Sequence, residues 1–90
     1  MNAVFAPDFK TIYTNFVQGA FSPLDIFLVV GEGMGPGIDG KPFVVQRAKI
    51  IMAPVEAKIV AAILNQAIAQ YEKQFGRIVV AKGLMPVEGD

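Results

Sequence analysis

From Pro54 to Phe75 the chain carries one unbroken helical pattern, the feature that most limits how it can fold. Val60, Leu64, Ala67, Ile68, Tyr71 and Phe75 recur at helical spacing and form a continuous apolar stripe. Ile59 and Ile63 are expected to widen that stripe, with Gln66, Gln70 and Gln74 as the opposite polar row. Proline suits the first helical position, where its missing donor is an orphan in any case. Glu56 in the first turn complements the helix dipole, and Gly76 stands where a helix C-terminus favours a left-handed residue. Twenty-two residues make a rod of roughly 33 Å.

The segments before it read as strands. Lys10–Phe21 is rich in β-branched and aromatic residues, and Ser22-Pro23 makes a corner because proline lacks a ladder donor. Asp25–Gly31 holds the continuous apolar run Ile26–Val30, as in a strand covered on both faces. Lys41–Met52 is the third strand; its alternation puts Arg47 and Lys49 on one, wetter face. Between the second and third strands lies the glycine-rich stretch 31–40, expected to be a long mobile hairpin loop. Ile78, Val79 and Val80 allow a short C-terminal strand over Arg77–Ala81. The expectation is an α+β fold, β-β-β-α: a three-stranded antiparallel meander followed by one long helix, in two layers. Residues 1–9 form an arm, 10–81 a single domain and 82–90 a tail containing Leu84 and Met85.

Composition adds a problem of cover. Hydrophobic residues make up 53% of the ninety and charged residues 18%, too apolar for intrinsic disorder. A domain of this size hides only about 60–65% of its unfolded surface. One helix covers one sheet face, so the second face and part of the helix need another partner. A second copy of the chain is the simplest, and a homodimer is expected. Eight basic and eight acidic residues cancel, which disfavours nonspecific nucleic-acid binding. The longest apolar runs, Ile26–Val30 and Ile59–Leu64, are far short of the roughly 20 residues that span a bilayer. The N-terminus lacks the basic and apolar regions of a signal peptide. A cytoplasmic protein without membrane association is the expectation.

The chain contains no Cys and no His. That removes zinc-finger chemistry, disulfides, thiol nucleophiles and imidazole catalysis. Gly35-Pro36-Gly37-Ile38-Asp39-Gly40 fits the GxGxxG pattern, but a strand rather than a helix follows it, so no helix N-terminus is there to receive a phosphate. Gly33, Gly35 and Gly37 remain candidates for a ligand-binding loop. The carboxylates sit mostly in loops, helix ends or the tail, and Asp25 is placed to pair with Arg47 or Lys49 across the sheet. Lys10, Lys41, Arg47 and Lys49, near Tyr13 and Phe43, suggest a small basic platform for single-stranded nucleic acid. Ser22, the only serine, precedes proline and reads as a turn residue. No catalytic residue, cofactor or metal is expected.

The ordered set Asn15-Phe-Val17, Ser22-Pro23-Leu-Asp25, Ala48-Lys-Ile50-Ile-Met52-Ala-Pro54, Ala57-Lys58 and Tyr71-Glu72-Lys-Gln-Phe75-Gly76 resembles the bacterial and archaeal family known as domain of unknown function 3467. The resemblance covers roughly Thr11–Ile78. Family members usually carry Ser or Thr where Ala53 stands, so this helix forfeits a side-chain cap of about 1 kcal/mol. They usually carry Arg where Lys49 stands, so bidentate pairing is lost, and their glycine segment is usually shorter. The resemblance implies no activity; some members are encoded beside RNA polymerase genes. The leading expectation is a non-enzymatic, oligomeric interaction or accessory module, with Arg47, Lys49, Ile59 and Ile63 as interface candidates and a protein partner as a further option. One alternative is a small regulator associated with nucleic acid or the transcription machinery. Another is a small-ligand binder using the Gly31–Gly40 loop.

Overall fold

A computed structural model describes residues 1–81 and residue 83. The elements are β1 (Phe16–Phe21), β2 (Ile26–Pro36), β3 (Pro42–Met52) and α1 (Pro54–Phe75). The strands form one antiparallel meander in the order β1-β2-β3, so the β-β-β-α order read from the sequence holds. Two compact units divide the chain, Met1–Pro54 and Val55–Asp90.

In the first unit, the strand expected from Lys10 starts only at Phe16. Two side chains take over where the β1 backbone leaves the ladder. Thr14 Oγ1 donates to the Gly31 carbonyl at 2.6 Å and accepts from the Gly31 N–H at 3.1 Å. Asn15 Oδ1 accepts from the Gly33 N–H at 2.8 Å, while the Asn15 N–H donates to Gly31 at 3.1 Å. The hydroxyl and the amide thus supply partners that a longer β1 would otherwise provide. Thr14→Val is expected to cost about 1–2 kcal/mol, because it strands the part-buried Gly31 amide. Thr14→Ser should restore most of that. Urea midpoints of the three proteins at one concentration would measure it.

The glycine-rich stretch is not a long loop. β2 runs on to Pro36, with Gly31, Glu32, Gly33 and Met34 paired to Gln46, Val45, Val44 and Phe43 of β3. Only the tip turns. Gly37 N–H reaches the Lys41 carbonyl at 2.7 Å, Gly40 N–H reaches the Gly37 carbonyl at 2.9 Å, and Asp39 Oδ1 accepts from Lys41 N–H at 3.0 Å. Gly40 has φ +77°, the left-handed residue that closes a three-residue hairpin after a type I turn. Gly31 is glycine for another reason: a Cβ there would collide with the carbonyl oxygen of Val45 on the neighbouring strand.

Register shifts interrupt the β2–β3 ladder between Val30 and Gly31 and between Met34 and Pro36. At the first, Val30 pairs with Ala48 and Gly31 with Gln46, so Arg47 is the extra residue of a bulge. A bulge flips the side-chain alternation beyond it. The single alternating pattern read along β3 therefore breaks at Arg47. At the other end of β1, Ser22 turns the chain as expected, its Oγ accepting from the Leu24 and Asp25 N–H groups. The N-terminal arm contains a turn of its own at Pro7-Asp8: Phe9 N–H donates to the Ala6 carbonyl at 3.0 Å, and the Phe5 and Phe9 rings meet at 4.9 Å.

In the second unit, α1 has the bounds that the sequence predicts, with Glu56 in its first turn and Lys73 in its last. Gly76 adopts φ +103° and its N–H donates to the Glu72 carbonyl at 2.9 Å, an αL-type helix end. Arg77–Ala81 forms no strand. The Ile78 N–H is instead taken by Glu72 Oε2 at 2.9 Å, which ties the segment back to the helix terminus. The expected tail, including Leu84 and Met85, lies outside the described residues.

Candidate functional site

The two sheet faces follow from the register. Directly opposed residues share a face. One face carries Val17, Val30 and Ala48 in one cross-strand row, then Leu28 and Ile50, then Phe21, Ile26 and Met52. The other carries Gln18, Val29 and Lys49, then Ala20, Phe27 and Ile51. Both faces hold large apolar side chains, yet among the described residues Val30, 8% exposed, is the one buried hydrophobic. Phe21 is 81% exposed and Ile51 59%.

The bulge separates the two basic interface candidates. Lys49, opposite Val29, lays its Nζ over the Phe27 ring at 4.4 Å, a cation–π contact on the second face. Arg47 Nε lies 3.4 Å from Glu32 Oε1. Glu32 has the opposite parity to Val29 along β2, so the Arg47 head group reaches the first face. The expected shared Arg47/Lys49 face therefore does not form. Nor does Asp25 receive either cation, since Arg47 pairs with Glu32. That pair is half-exposed and contributes little on its own. It lines a cleft of about 300 Å³ together with Lys10, Thr11, Ile12 and Tyr13.

The three glycine candidates do not assemble a loop. Gly33 lies within the β2–β3 ladder, Gly35 is the unpaired residue at the second register shift, and Gly37 closes the tip. The GxGxxG spacing is thus accounted for by a bulge and a hairpin turn. Ile38 stands fully exposed at that tip, beside Phe43 at 45%.

No residue of α1 is buried. Leu64, Ile68, Tyr71 and Phe75 are 44–68% exposed, and the Tyr71 and Phe75 rings contact one another at 5.0 Å. Ile59 and Ile63 are exposed as well. Helix geometry turns them roughly 110–150° from the centre of the Leu64–Ile68–Tyr71–Phe75 stripe. Ile63, one turn from Val60 and from Ala67, borders the full stripe there, whereas Ile59 lies about 130° from its centre. Both continue, toward the N-terminus, the row that Gln66, Gln70 and Gln74 occupy, so the first half of the helix is apolar on two sides. No helix among the described residues is long and apolar enough to cross a membrane.

Residues 3–80 match the model of a family described as protein of unknown function, DUF3467. The chain belongs to that family. The match takes in most of the arm, all three strands and α1, so the sheet faces, the hairpin tip and the helix surfaces described above lie on the DUF3467 portion. Neither the curated proteins nor the solved structures yield a match to the chain. Thr14 and Asn15, which complete the β2 edge, were not legible as such, because a threonine and an asparagine near a strand start are equally at home in the strand itself. The Arg47 bulge left a fainter signal. Gly31 lies opposite it on β2, and a glycine in a strand marks a bulge or a close approach of a neighbouring backbone.

Proposed function

We propose that this DUF3467 chain is a non-enzymatic, self-associating interaction module. One observation carries the reading: the apolar stripe of α1 is exposed from Leu64 to Phe75. Exposed apolar patches of several hundred Å² mark interaction surfaces. In proteins most of a helix's stability comes from packing its apolar face, and a three-stranded sheet draws its stability from a packed hydrophobic face. The absence of Cys and His from the composition supports a role other than acid–base or thiol chemistry. A reducing, cytoplasmic setting suits a chain with no disulfide to form.

Native mass spectrometry and light scattering at micromolar concentration test this. The expected mass is twice the 9.7 kDa of one chain. A monomer at every concentration would overturn the reading. A complex holding a second, different protein would replace self-association with an accessory-subunit role.

A further inference from the structure

We propose that two copies of the chain pair through α1 as an antiparallel, two-fold helical seam made of Ala57, Ala61, Leu64, Ile68, Tyr71 and Phe75. This rests on the self-association reading and names its surface and geometry.

The spacing of those residues alternates four and three along the whole helix. That is the repeat of a coiled-coil seam, and the six positions fall within roughly 80° of the helix circumference. They are also palindromic: each lies as far from Gln66 as its counterpart does on the other side. A two-fold axis level with Gln66 therefore sets Ala57 against Phe75 of the second copy, Ala61 against Tyr71, and Leu64 against Ile68. Each large ring meets a small alanine, so the seam interdigitates at even width. A parallel in-register pair would stack Tyr71 on Tyr71 and Phe75 on Phe75 at one end, and would set alanine on alanine at the other.

Charge selects the same orientation. Antiparallel pairing sets Lys58 and Glu72 of the second copy on the same flank of the seam and within a turn of each other, and opposes the helix dipoles. Parallel pairing would put these two charges on opposite flanks and roughly 21 Å apart along the axis. Area agrees. The seam side chains with flanking Val60 and Ala67 offer at most roughly 600 Å² per helix, so complete burial in the pair removes about 1,200 Å², the lower end of stable interfaces. Ile59 and Ile63 are left outside this seam.

The chain has no cysteine, so introduced thiols report without background. Under mild oxidation the double variant Ala57→Cys/Phe75→Cys should be trapped as a covalent dimer, whereas Ala57→Cys alone should not. A second variant avoids the seam: a spin label on Glu56→Cys should give an inter-label distance of about 30 Å or more, since twenty helical residues separate the two sites along the axis. Cross-linking of Ala57→Cys alone, or a label distance under about 20 Å, would show a parallel pair and overturn the seam. A native dimer that neither cross-links nor gives the long distance would show self-association through another surface; the seam falls and the module reading survives. A monomer removes both.

Discussion

Gly31→Val will disrupt the β2–β3 ladder, with a loss of about 3 kcal/mol or more. The added Cβ meets the Val45 carbonyl oxygen and the Gln46 Cα, which are backbone atoms of a paired strand. Neither can swing aside as a side-chain tip does. Relief requires the strands to separate next to the Arg47 bulge, where Thr14 has already committed its hydroxyl to both polar groups of Gly31. The comparison is Gly35→Ala. A Cβ at Gly35 meets nothing within 4 Å, so that change should stay within about 0.5 kcal/mol of the parent. Urea melts followed by circular dichroism, at one protein concentration because association feeds into stability, distinguish the two. Equal effects would show that the close approach at Gly31 does not govern the hairpin.

Leu64→Asp will dissociate the self-associated protein. Leu64 is 55% exposed at the centre of the α1 stripe. If that stripe is the contact surface, the substitution puts an uncompensated carboxylate into its driest part. A central contact of this kind costs about 2 kcal/mol or more, which is roughly thirtyfold or more in the dissociation constant. Gln66→Asp places the same charge roughly 160° around the helix and should leave the constant within about twofold. Sedimentation equilibrium or light scattering across a dilution series would read both. An unchanged mass for Leu64→Asp would exclude the stripe as the contact surface. If folding itself requires the dimer, Leu64→Asp will also lower helicity as it dissociates, and Gln66→Asp will not.

The helix was legible residue by residue. Pro54, the apolar spacing and Gly76 are local signals, and each acts within a turn or two of where it stands. The strand order was legible for the same reason, since Ser22-Pro23 and the glycine tip are local chain reversals. The candidate surfaces were legible only in part. Exposed apolar side chains on the helix were expected from the stripe. Ile63 borders the stripe beside Val60 and Ala67, and helix geometry places Ile59 on its far side.

What the sequence alone determined is therefore the inventory: three strands, one helix with its two ends, and an excess of apolar side chains over what one small domain can cover. What only the tertiary structure decided is how strands meet. The glycine-rich stretch is strand because β3 lies beside it to pair with. Gly31 is required because Val45 approaches it, and Arg47 leaves the Lys49 face because one residue of β3 has no partner on β2. Cross-strand register joins residues distant in the chain. A composition rich in glycine reads the same whether its amides face solvent or a neighbouring strand.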